Sequence, residues 1–290
     1  MEIDTLFLSG GGINCISLLG VFKYLFDNKI IQPNFKGIKN IVCVSGSSFF
    51  TLPFLLGFSL DAVIKICLEC NSEKFIDYSN FDFNNIFEEY GFYDISFLES
   101  ICAVLLKHKG LSEEITLQEL YNHTNINWVL KTTNLTNYHI EYLNHKNNPD
   151  LSIIQAIKMT SCIPIIFKPV KYNDNYYVDG GLCGNYPIEY NKKLKSKKYL
   201  GIQIKSGDKT SKITNIFDFL NRLHMAPTSP YDDIYTKKKN RIIILLNHHG
   251  YIFKRTREEN MKVIYEGYDK TEMYFNDYKH NHSNQNENED

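Results

Sequence analysis

Apolar residues along this chain fall into short unbroken runs and longer stretches at helical spacing, and the two kinds alternate. Thr5-Leu6-Phe7-Leu8 is an apolar run closed by Ser9-Gly10-Gly11-Gly12. Beyond it, Ile16, Leu19, Phe22 and Phe26 recur at intervals of three and four, so the pattern predicts a strand, a glycine turn and a helix over residues 13–26. The motif repeats where Ile41-Val42-Cys43-Val44 meets Ser45-Gly46-Ser47-Ser48 and passes into a second apolar, helical segment. Helices are predicted over residues 60–70, 95–107 and 117–122, the last opened by Thr116 with Glu119 as a capping box.

Strands follow at residues 127–133 and 139–144, and Ser152 with Gln155 caps a helix reaching about residue 159. Residues 167–172 and 176–178 read as paired strands around the polar turn Asn173-Asp174-Asn175. Residues 199–204 and 241–246 read as buried strands, because they are apolar without alternation. This succession predicts an α/β fold, a three-layer α/β/α sandwich with a mainly parallel central sheet and its functional residues at the carboxyl ends of the strands. One domain is expected over residues 1–279. Residues 280–290 contain no apolar side chain to offset the entropy of ordering, so a disordered polar tail is expected there.

Composition narrows the function. The 32 Lys and Arg nearly balance the 33 Asp and Glu, leaving a formal charge of -1 and no overall basic field for nucleic acid. Seven Cys, most flanked by apolar residues, argue for buried thiols over a disulfide framework. The first residues lack a signal-peptide pattern, and the longest apolar stretch, near residues 49–58, is interrupted by Thr51, Pro53 and Gly57. A cytoplasmic protein without a transmembrane helix is therefore expected, with no more than peripheral membrane contact.

Three elements can carry chemistry. A serine on a sharp strand-to-helix turn projects its hydroxyl above the sheet, and the helix behind it offers N–H groups and a positive dipole end. Among Ser45, Ser47 and Ser48, the last is taken as nucleophile, Ser47 being the alternative frame. Alone, such a fragment is more often a helix cap. Gly10, Gly11 and Gly12, with Ile13, form a loop whose backbone can approach a ligand and aim N–H groups at an oxyanion. Dinucleotide binding ranks below this, since Cys15 stands where the third glycine of that fingerprint belongs. The third element is Asp179 at the end of an apolar strand, followed by Gly180 and Gly181; its plainer reading is a turn. Cys67 and Cys70 have metal-like spacing but no second pair, and His248-His249 has no evident acidic partner, so neither is taken as a site.

Order and spacing of these three elements resemble the patatin-like phospholipase family: a glycine-rich loop near the start, a serine elbow after the next strand, and a later Asp-Gly-Gly. Further likeness lies in Ser161-Cys162-Ile163-Pro164, Phe167-Lys168-Pro169 and Asn185-Tyr186-Pro187, and the resemblance covers residues 4–205. It implies a Ser/Asp dyad without histidine, here Ser48 as nucleophile and Asp179 as general base. It also implies an oxyanion hole from Gly10, Gly11, Gly12 and Ile13, with Gly46, Gly180 and Gly181 in support. The implied activity is hydrolysis of a lipid acyl ester, phospholipid first, with neither metal nor organic cofactor. Against the family pattern, Asn14 and Cys15 replace a basic residue and a glycine, and Phe50 stands two residues beyond Ser48 where the elbow has glycine. Those departures motivate the other reading, a weakly active or inactive lipid-binding protein on the same fold.

Overall fold

The computed structural model describes residues 2–69, 84–206, 212–213, 216–226, 240–246 and 255–286. Ten strands are found among them: β1 (Thr5–Leu8), β2 (Asn40–Val44), β3 (Gly91–Tyr93), β4 (Asn127–Asn134), β5 (His139–Leu143), β6 (Ile165–Phe167), β7 (Val170–Tyr172), β8 (Asn175–Asp179), β9 (Tyr199–Ser206) and β10 (Arg241–Leu246). Eight form one sheet in the order β10-β9-β1-β2-β4-β8-β7, with β5 also paired to β4. The run from β10 to β4 is parallel throughout, whereas β5 and β8 lie antiparallel to β4. β3 and β6 make a separate parallel pair.

Sheet faces follow from alternation along the strands. Leu6, Leu8, Ile41, Cys43 and Leu130 point into one apolar cluster, which also takes the inner faces of helices α1 (Ser17–Asp27) and α2 (Gly46–Leu55) and of the helix Ile153–Ser161. Phe7, Val42 and Val129 point the other way, onto Tyr186 and onto Ile188 and Tyr190 of the 3-10 turn Pro187–Tyr190. The central strands are thus buried on both faces, which is why they read as unbroken apolar runs, and the sheet lies between helical layers.

Chain order reverses at β1, flanked by β2 on one side and β9 on the other. In open α/β sheets the crevice outside such a reversal is where ligands bind. The glycine loop leaves β1 at that point and becomes the 3-10 helix Gly12–Ile16 before α1 begins.

Three features differ from expectation. The run at residues 167–172 divides between β6 and β7, since Pro169 has no N–H to continue a ladder. A helix Arg257–Asn286 packs along α1 so closely that a Cβ on Gly267 would stand 2.0 Å from the Ser17 carbonyl oxygen. That helix continues through Asn286, into the stretch expected to be disordered from residue 280. Extending a packed helix adds a hydrogen bond for each residue fixed, whereas the polar sequence alone could not nucleate one. Cys70 and His248-His249 lie outside the described residues. Among the described residues, no helix is long and apolar enough to cross a membrane.

Candidate active site

The pairing of β4 brings the candidate residues together. Its residues Leu130 to Asn134 pair with β5 on one edge. On the other edge, β2 pairs up to Val44 opposite Lys131, and from Thr132 onward β8 takes over, beginning with Asp179. β2 runs parallel and β8 antiparallel to β4, so their carboxyl ends meet head to head at Lys131 and Thr132. The residue that follows β2 is Ser45, and the residue that ends β8 is Asp179.

Ser45 has φ 55 and ψ -134, a conformation that costs a non-glycine residue roughly 1–3 kcal/mol and persists only where its surroundings impose it. The surroundings do so here. Its N–H donates to Thr160 Oγ1 at 3.0 Å, and its carbonyl accepts both the Ser48 N–H at 2.9 Å and the Ser48 hydroxyl at 2.6 Å. The Thr160 hydroxyl in turn donates to the Lys131 carbonyl, bridging the gap in the ladder between the two strand ends.

This geometry sets Ser45, and not Ser48, at the candidate site. Ser48 is fully buried within α2, its hydroxyl committed to the Ser45 carbonyl, and it clamps the turn without facing the site. Ser47, the alternative frame, is buried too; its hydroxyl accepts the Val44 N–H at 3.0 Å and donates to the Val44 carbonyl at 2.8 Å. Ser45 alone of the three lines the apolar cavity described below and hydrogen-bonds the Asp179 side chain. With Ser45 on the elbow, the residue two further on is the small Ser47, and Phe50 becomes cavity wall. Gly46 remains essential: a Cβ there would stand 2.5 Å from the Gly12 carbonyl oxygen, because the glycine loop backs directly onto the elbow.

Asp179 is buried, and desolvation pushes its carboxyl from the usual 3.8 up to about 6. Hydrogen bonds from Ser45 and from the Gly181 N–H, the latter at 2.6 Å, and the charge of Lys131 act in the opposite direction. Lys131 is itself fully buried; its Nζ bonds Gly184 O at 2.6 Å, Cys183 O at 3.1 Å and Glu189 Oε1 at 2.7 Å. It thereby holds the turn that begins with Gly180 and Gly181. Tyr142 completes this network by donating to Glu189 Oε1 at 2.6 Å. The sequence reading passed over Lys131 and Thr160, although a lysine inside an apolar strand was a visible signal.

The glycine loop faces the elbow with one change of role. The Gly10 N–H is taken by the Asn185 carbonyl at 3.2 Å, and Asn185 Nδ2 returns a bond to Gly10 O at 3.0 Å. Gly10 is therefore corrected from oxyanion donor to anchor of the loop. Gly11 and Gly12 lead into the short helix, whose first N–H groups, at Gly12 and Ile13, have no acceptor within it. Asn14 accepts a hydrogen bond from Arg255, and the Cys15 sulfur packs where it would meet a Cβ on Gly46 at 3.2 Å. Beside the loop lies a cavity of about 140 Å³, apolar for most of its wall through Ile13, Phe49, Phe50, Phe97 and Phe167, with Ser45 in its lining.

Comparison with known proteins follows the same residues. A family model described as patatin-like phospholipase matches residues 6–191. The chain is 31% identical over 187 residues to the uncharacterized protein R571 of Acanthamoeba polyphaga mimivirus, covering 64% of this chain and 61% of that one. It is 26% identical over 198 residues to the probable lipid hydrolase 463L of invertebrate iridescent virus 6, covering 67% and 66%. The match thus spans less than two thirds of either relative's own length. In fold it resembles the crystal structure of VipD from Legionella pneumophila, with TM-score 0.64, 17% identity, and coverage of 96% of this chain and 67% of that one.

Proposed function

The chain belongs to the patatin-like phospholipase family, and on that premise we propose that it hydrolyses a carboxylic ester of a lipid through an acyl enzyme on Ser45, with Asp179 as general base. The observation that carries this reading is the contact between the Ser45 hydroxyl and the Asp179 carboxyl at the wall of an apolar cavity.

A serine hydroxyl is a weak nucleophile at neutral pH and needs a base within hydrogen-bond reach. With its pKa at about 6, Asp179 is ionised at pH 7 yet basic enough to take the Ser45 proton as Oγ attacks the ester carbonyl. The negative charge that develops on the carbonyl oxygen is met by backbone N–H groups of Gly11, Gly12 and Ile13 and of Gly46, the residue after the nucleophile. Each such donor contributes about 3 kcal/mol in comparable acyl-transfer sites. Protonated Asp179 then gives its proton to the departing alcohol, and water repeats the sequence to release the acid and free Ser45. The apolar cavity holds the acyl chain.

Phospholipid is the leading substrate and membrane contact is peripheral, both by likeness to the family. The other reading is a weakly active or inactive lipid-binding protein on the same fold. The test is fatty-acid release from mixed phospholipid vesicles by wild type, Ser45→Ala and Asp179→Asn, each checked for folding. Release by wild type alone supports the dyad; vesicle binding without release by any of them supports the binding protein.

A further inference from the structure

The glycine loop is held at both ends by side chains far away in the sequence. At its start, the Gly10 N–H donates to the Asn185 carbonyl and Asn185 Nδ2 donates to the Gly10 carbonyl. At its end, Arg255 Nη2 donates to Asn14 Oδ1. Between the two anchors the backbone needs outside support: Gly12 has φ 54, a left-handed conformation, and the Asn14 N–H closes a turn onto the Gly11 carbonyl at 3.0 Å. That turn encloses Gly12 and Ile13, whose N–H groups have no acceptor within the short helix. Their direction is therefore set by where Asn14 is held.

Asn14 is only 7% exposed, so removal of Arg255 takes the donor from a buried amide oxygen. Arg255 is itself fixed from behind. Thr256, the next residue, closes a capping box with Glu259: its N–H donates to Oε2 at 2.8 Å and its Oγ1 accepts the Glu259 N–H at 3.2 Å. The helix Arg257–Asn286 lies against α1, where Gly20 leaves room for the Ile264 carbonyl that a Cβ would strike. α1 continues directly from the 3-10 helix that carries Asn14. The guanidinium and the end of the loop thus share one base, and the carboxylates of Glu259 and Glu266 act on the Arg255 charge.

We propose that Arg255 is a positioning residue: through Asn14 it holds the Gly12 and Ile13 N–H groups where the carbonyl oxygen of the ester becomes an oxyanion. This role rests on the hydrolase reading above and adds to it a residue outside the family-matched span 6–191. Because Arg255 acts through the shape of the loop, its loss weakens the transition state more than substrate binding.

Two measurements test this role. The first does not depend on catalysis: amide hydrogen exchange of the loop, followed by NMR in wild type and Arg255→Met. The Asn14 N–H should exchange about tenfold faster in the variant, the order of one lost hydrogen bond, while the amides of β1 and β2 keep their wild-type rates. Equal exchange at Asn14 overturns the clamp and leaves the hydrolase reading untouched. The second is steady-state kinetics on p-nitrophenyl butyrate, a soluble ester that needs no lipid surface. Arg255→Met should lose about tenfold in kcat with KM nearly unchanged, and Arg255→Lys, which keeps a cationic donor, should recover part of it. Asn14→Leu removes the acceptor from the other side, and the double variant should be no slower than the slower single one. Losses that multiply in the double variant, or that appear in KM alone, overturn the role. If Arg255→Met fails a melting check, Asn14→Leu decides by the same split between kcat and KM. Absence of turnover in every form, wild type included, would defeat the hydrolase reading and the positioning role with it, while the exchange rates would still show whether Arg255 holds the loop.

Discussion

Ser45 and Asp179 stand at the facing carboxyl ends of β2 and β8, two strands that share one edge of β4 and run toward each other. The sheet itself sets their separation, and neither depends on a mobile loop for its position. The proposed dyad needs no third residue to orient its base, because the ladder of β8 and the Gly181 N–H already hold the carboxyl.

The raised pKa of Asp179 gives a pH dependence of defined sign. Activity requires the ionised carboxylate, so kcat/KM should fall tenfold per unit as pH drops below about 6. The folded-state pKa lies above the unfolded 3.8, so this group adds stability below pH 3.8, and that contribution is lost as pH rises through about 6. Asp179→Asn should accordingly abolish turnover and raise stability at pH 7, by at most roughly 3 kcal/mol for a shift of that size. Urea unfolding at pH 4 and pH 7 checks it; a variant less stable than wild type at pH 7 contradicts the assignment.

Thr160→Val keeps the side-chain shape but removes the acceptor for the Ser45 N–H and the donor to the Lys131 carbonyl. Two buried backbone groups are left unpaired, at about 1–3 kcal/mol each. The drop in activity should fall on kcat more than KM, and Thr160→Ser should restore it. Steady-state kinetics with thermal melts of both variants separate this from simple loss of packing.

Lys131→Met removes the buried cation near Asp179 and its bonds to the Gly184 and Cys183 carbonyls. With that charge gone the Asp179 pKa rises further, so the acid limb of the pH–rate profile should move to higher pH. The lost partner of Glu189 should lower stability by about 3 kcal/mol. A profile that does not move would show that Lys131 holds the turn without tuning the base.

Much of this molecule was legible in its sequence, for physical reasons. β1, β2, β4 and β9 are buried on both faces and so appear as apolar runs, and the Thr116–Glu119 capping box is present as expected. The proposed nucleophile lies three residues before the one that the spacing pointed to, because three serines crowd one elbow and composition does not display the sign of a φ angle. One clue was available: with Ser48 on the elbow the residue two further on is Phe50, whereas with Ser45 it is the small Ser47. β3 and β6 have three residues each, too few for any period to register. The helix Arg257–Asn286 was overlooked although Ile264, Tyr268, Thr271 and Phe275 recur at helical spacing.

The central claim is the identity of the nucleophile, and covalent labelling tests it most directly. A fluorophosphonate probe should modify wild type and Ser48→Ala, the latter less stable by about 1 kcal/mol for its lost hydrogen bond. Ser45→Ala should stay unlabelled, and mass spectrometry of the labelled wild type should place the adduct on Ser45. Labelling that persists in Ser45→Ala and disappears in Ser48→Ala would contradict the account and return the nucleophile to α2.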